Sequence, residues 1–185
     1  MLYLYIIIGI LVLWAGYSYA RLLVKRIICQ RKLKKVCNQK GFQLQSTHPL
    51  WFLSGKNGQK CDCYIETPTS VFIIKFFGVI PHLRTLVFAE ENSYFLRRHV
   101  DILLRFNDSL DGTKQELPKY DFLDKEVHRF TGKNIYPILL INPVPTEMVR
   151  RFSNGQEVIL NPGDKIRDME VYNQSGLITK LENLS

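Results

Sequence analysis

Asp62, Glu66 and Lys75 fall close together in one short stretch of the chain. Two carboxylates and a lysine are the groups that metal-dependent phosphodiester hydrolysis uses. The carboxylates are hard oxygen ligands for Mg²⁺, and the lysine orients or deprotonates the attacking water. The spacing works against that chemistry here. Asp62 and Glu66 are four residues apart, so on a strand they share a face but stand roughly 13 Å apart along it. Without a bulge or bend they cannot chelate one ion. Cys61 and Cys63 flank Asp62, but zinc sites pair one such couple with a second, and Cys29 and Cys37 do not supply it. His48, His82, His99 and His128 are scattered. No metal ligand set is expected, and the four thiols are expected to be free in a reducing compartment.

The elements that must position these side chains are mostly strands. Phe42 and Leu44 alternate, and Asn57-Gly58 is a turn signal. Cys61–Thr67 and Val71–Phe77 read as two strands joined by Thr67-Pro68-Thr69-Ser70. Val71, Phe72, Ile73 and Ile74 are apolar on both faces, which predicts a central strand covered on each side. Lys75 is expected on a solvated part of that sheet. Two more strands are predicted near Leu83–Phe88 and Tyr94–Leu96, then Tyr136–Ile141 with a Pro-rich exit, then Val158–Leu160. Amphipathic spacing predicts helices over Asp121–Phe130 and Ser175–Leu184, which are the candidate covers, and a short helix over Glu147–Phe152. The fold class expected is α+β, or mixed α/β, with a central sheet and flanking helices.

The stretch Lys60–Gly78, KCDCYIETPTSVFIIKFFG, resembles the core of the nuclease-related (NERD) domains, of the PD-(D/E)xK restriction-endonuclease-like superfamily. Asp62, Thr67-Pro68 and Val71–Ile74 carry the resemblance. It implies a strand, a turn and a second strand ending in Glu-x-Lys, with Mg²⁺ held by the acids. Aligning the strands puts Lys75 at the family's Glu; shifting by two puts Ile73 there and Lys75 at the Lys. Either way one carboxylate is missing, and Glu66 is the local substitute.

The chain's charge is segregated. Residues 1–61 contain ten Lys or Arg and no acid; residues 62–185 contain fifteen against seventeen acids, so the total of +8 is 10 − 2. The basicity belongs to one segment and gives no support to nucleic-acid binding by the domain. Residues 1–20 are uncharged, long enough to span a hydrocarbon core, with Tyr3 and Tyr5 toward one end and Trp14, Tyr17 and Tyr19 toward the other. The competing reading, a cleaved signal peptide, lacks a positive n-region. The expected organisation is a transmembrane helix at 1–24, a basic juxtamembrane helix at 25–40 ended by Gly41, and a domain at 41–185. The Lys/Arg bias puts the N-terminus outside and the domain in the cytoplasm, at the plasma membrane in a single pass. Arg21, Lys25, Arg26, Arg31, Lys32, Lys34 and Lys35 are expected at the membrane surface, against anionic headgroups of the bilayer.

These observations favour a membrane-anchored cytosolic module that is not an enzyme and binds or scaffolds a protein partner, without a cofactor. One alternative is a metal-dependent nuclease with a rebuilt site at Asp62, Glu66 and Lys75, and only that reading needs Mg²⁺. The other is a membrane-tethered nucleic-acid-binding protein using the basic stretch.

Overall fold

The structure is a computed structural model that describes residues 2–46, 61–78, 84–89, 93–98, 114–117, 130 and 132–184. The chain is α+β. Helix α1 spans Leu2–Lys40 without a break, about 58 Å at 1.5 Å per residue. It ends where expected: Gly41 takes a left-handed φ of 70° and the Phe42 N–H bonds back to the Cys37 carbonyl at 2.8 Å.

Eleven strands are described: β1 (Gln43–Ser46), β2 (Cys63–Glu66), β3 (Ser70–Phe77), β4 (Arg84–Ala89), β5 (Ser93–Arg98), β6 (Gln115–Glu116), β7 (Asn134–Ile141), β8 (Glu147–Arg151), β9 (Glu157–Ile159), β10 (Lys165–Ile166) and β11 (Met169–Asn173). Helix α2, Gln174–Glu182, follows β11 directly, with Asn173 as its N-cap. Six strands form one sheet in the order β1-β2-β3-β7-β11-β10, and five form another in the order β6-β5-β4-β8-β9. β1, β2 and β3 are an antiparallel meander. β3 then pairs in parallel with β7 along its whole length, from Ser70↔Asn134 to Phe77↔Ile141.

β3 is central, as its two-faced apolar run requires. Alternation sends Phe72 and Ile74 into one core with Cys29, Leu33, Val36 and Cys37 of α1 and Leu177 and Leu181 of α2. On the other face Phe77, Leu139, Ile141 and Val171 pack against Leu86, Phe88 and Met148 of the second sheet. Of the two expected covers, the C-terminal one is present as α2, joined on that face by the lower half of α1. The second sheet lies on the other face, where Phe130 also packs against Val71 and Ile73. The predicted helix over Asp121–Phe130 lies outside the described residues, except for Phe130. So does the Asn57-Gly58 turn.

Two expectations are corrected. Glu147–Phe152 is no helix: β8 runs parallel to β4 and antiparallel to β9, with Val149 paired to both Val87 and Ile159. Ladder pairing on both sides overrides local propensity. The basic segment after Lys25 is also not exposed all round: Cys29, Leu33, Val36 and Cys37 form an apolar stripe that faces inward. They are between 0% and 7% exposed, because that stripe is the first layer of the domain core. Arg31, Lys32, Lys34, Lys35 and Lys40 face outward.

Among the described residues no helix is long and apolar enough to cross a membrane. The side chains of residues 2–15, 18 and 19, on which the spanning expectation rests, lie outside the described residues.

Candidate functional site

The β2–β3 register sets Cys63 opposite Ile74. Asp62, one residue earlier, therefore comes beside Lys75, its N–H bonding the Ile74 carbonyl at 2.9 Å. Helix α1 adds a third charge. Arg26 falls on the inward face one turn above Cys29, and its Nη2 lies 3.2 Å from Asp62 Oδ1. Lys75 Nζ lies 3.8 Å from the same oxygen. Asp62 Oδ2 accepts the Phe76 N–H at 2.6 Å, and the Arg26 guanidinium stacks 4.8 Å above the Phe76 ring. Asp62 is 0% exposed, Lys75 5% and Arg26 8%.

This arrangement bears on three sequence assignments. Lys75 is not solvated, because β3 is buried on both faces to its end. Arg26 does not face outward with the other basic residues, because its carboxylate partner holds it inside. Glu66 does not join Asp62: it sits at the far end of β2, where the Lys133 ammonium donates to it at 2.7 Å and to the Thr67 carbonyl at 2.9 Å. Asp62 and Lys75 meet, while the position two before Lys75 is Ile73, 1% exposed.

Arg26 is the member that the sequence reading missed. The signal was present: Leu22, Arg26, Cys29, Leu33 and Val36 recur at spacings of four and three, so a cation sits inside an apolar stripe. The excess of lysine and arginine around it disguised it as one more topology charge.

Burial pushes the Asp62 carboxyl pKa up, opposed by Arg26, Lys75 and the Phe76 N–H. Burial pushes the Lys75 ammonium pKa down, and Arg26 adds to this while Asp62 opposes it. Arg26 settles the protonation state, since a guanidinium does not give up its proton. Neutralising Asp62 would leave that cation buried without a counter-charge. Asp62 is therefore the anion of the cluster, and Lys75 carries the loosely held proton.

Such a cluster is suited to holding α1 against the sheet, and it does not fit a divalent metal. Both Asp62 oxygens already face donors, and an incoming cation would meet Arg26 and Lys75. Among the described residues no group of three or more His, Cys, Asp or Glu converges on a common point. Cys61 and Cys63 are buried; burial, reinforced by the Asp62 charge, pushes the Cys63 thiol well above its usual range, which keeps it protonated and unreactive at neutral pH.

No protein-family model, curated protein or solved structure matches the chain.

Proposed function

We propose that the chain is a membrane-anchored, non-catalytic interaction module, built on a nuclease-like core in which an internal ion cluster stands where a metal site would be. The observation that carries this reading is the Asp62 carboxylate, closed in by Arg26, Lys75 and the Phe76 N–H. A nuclease-like ancestry is supported by the order of parts: Asp62, β2, the Thr67-Pro68 turn, β3 with Lys75, and later β7 with its Pro143 and Pro145 exit. The uncharged run at 1–20 and the basic residues that follow it support a single-pass anchor in the plasma membrane, N-terminus outside and domain in the cytoplasm. The bilayer and its anionic headgroups are then one partner, and a protein is the other.

Two measurements test this. Purified full-length chain in detergent, with Mg²⁺ or Mn²⁺, should leave DNA and RNA intact. Metal-dependent cleavage that Asp62→Glu removes while the protein stays folded would overturn the non-catalytic reading. For placement, a GFP fusion at Ser185 should fluoresce and an alkaline phosphatase fusion should be silent; the opposite pair of results would reverse the topology.

A further inference from the structure

The anchor and the domain share one helix, and the domain packs onto it very near the anchor's end. A Cβ placed on Gly78, just past β3, would lie 3.7 Å from Leu22 Cδ2 and 3.6 Å from the Asn142 carbonyl oxygen. The Asn142 side-chain amide, just past β7, donates to the Lys25 carbonyl at 3.2 Å. The exits of the two central parallel strands are thus fixed to α1 at residues 22–25, where the apolar run gives way to the basic one. Backbone groups there are paired, since the Asn142 N–H bonds the Phe77 carbonyl at 3.0 Å, and such pairing suits a region poor in water.

Apolar side chains are exposed on the chain segments that flank these contacts. Tyr17 is 66% exposed, Val24 54% and Val144 42%. Arg21 is exposed and Lys25 half-buried beside them. The other basic residues of α1 are farther off. Arg31, the nearest exposed one, is seven residues beyond Val24, about 10 Å along the axis, past the roughly 8 Å screening length of physiological salt. Gln39 is fifteen residues beyond, about 22 Å.

We infer that the end of the domain formed by the β3 and β7 exits seats on the bilayer surface, with Val144 entering the headgroup layer beside Tyr17, Arg21, Val24 and Lys25. This rests on the anchor proposed above and goes beyond it. The lipid contact is made by the loop after β7 and the upper turns of α1, and not by the basic lower half of the helix lying along the membrane. A bilayer is the fitting occupant because the patch continues the spanning run and carries cations suited to anionic headgroups.

Site-directed labelling decides it in the full chain, in vesicles of phosphatidylcholine and phosphatidylglycerol. The four native cysteines are buried, with burial raising Cys29 to about 12 and Cys37 to about 11, so a thiol-reactive fluorophore goes to an introduced cysteine. Val144→Cys and Tyr17→Cys should both be quenched by lipids carrying a shallow nitroxide, within about twofold of each other, and Gln39→Cys should not. Quenching at Tyr17→Cys but not at Val144→Cys would overturn the seating and leave the anchor standing. Quenching at Gln39→Cys in place of Val144→Cys would mean that α1 lies along the surface, which also overturns it. Disulfide-linked Val144→Cys dimers without quenching would give the patch to a second copy. No quenching at Tyr17→Cys would remove the anchor itself.

Discussion

Lys75 Nζ stands 3.8 Å from Asp62 Oδ1, both side chains nearly closed off from water, and the pair is outnumbered by its own cations. Arg26 approaches the same carboxylate, so the cluster is two positive charges around one negative. Removing Asp62 and removing Lys75 should therefore have unequal effects. Asp62→Asn leaves two buried cations without a counter-charge and should cost about 3–5 kcal/mol. Lys75→Met leaves an Arg26–Asp62 pair in balance and should cost about 1 kcal/mol or less. In the double variant part of the Asp62→Asn loss should return, giving a coupling of about 1–2 kcal/mol. Thermal or denaturant unfolding of the four proteins measures the cycle. Equal losses for the two single variants would show that the cluster is not the charge-imbalanced unit described.

The lower half of α1 should behave as core and not as a lipid-surface helix. Leu33 is 0% exposed, and Leu33→Ala should cost about 2–5 kcal/mol. Its neighbours Lys32 and Lys34 are exposed, and alanine there should stay within about 0.5 kcal/mol. A fragment of residues 41–185 lacks Cys29, Leu33, Val36 and Cys37 and should aggregate, while one beginning at Arg21 should fold. Cooperative melting of the 41–185 fragment would place α1 outside the core.

Glu157 on β9 ties two strands of the second sheet together. Arg97 of β5 grips it with two bonds of 2.6 and 2.9 Å, and Arg151 of β8 adds one at 2.7 Å. The Arg97 bonds, opposed by burial and joined by Arg151, lower its carboxyl from 4.5 to about 2. A depressed folded-state value means stability that is present above pH 4.5 and is lost as pH falls toward 2. The stability difference between wild type and Glu157→Gln, about 1 kcal/mol for a half-exposed network, should hold at pH 6–7 and vanish near pH 2. A difference that does not change with pH would assign the loss to packing.

Which parts were legible in the sequence follows from how each signal was carried. β3 could be read because Val71–Ile74 has no polar face, and burial on both sides is the only stable outcome. The helix stop at Gly41 could be read because its chemistry is local, a glycine free to take the left-handed φ of 70°. β8 could not, because Met148 and Val149 fit either period over five residues and a non-local ladder decided the matter. β11 was missed for the same reason: Met169–Asn173 is short, and its parallel partner β7 is distant in sequence. At the site, Asp62 and Lys75 were visible as candidates but their meeting was not, because it depends on the non-local β2–β3 register that takes Lys75 off the solvated face. The third member was hidden because charge asymmetry explained Arg26 without any partner.

The unbroken course of α1 has one more consequence. Many tethered domains hang from a linker and sweep out a volume, so that they meet partners in any orientation at a concentration set by linker length. Here the proposed anchor's last turn and the domain's first core layer are successive turns of one helix, and Asn142 and Gly78 close against it. The sweep volume shrinks to almost nothing. With that proposed anchor in a bilayer, each exposed surface of the domain would be held at its own height and heading, so a partner would have to present its complementary face at that height or miss.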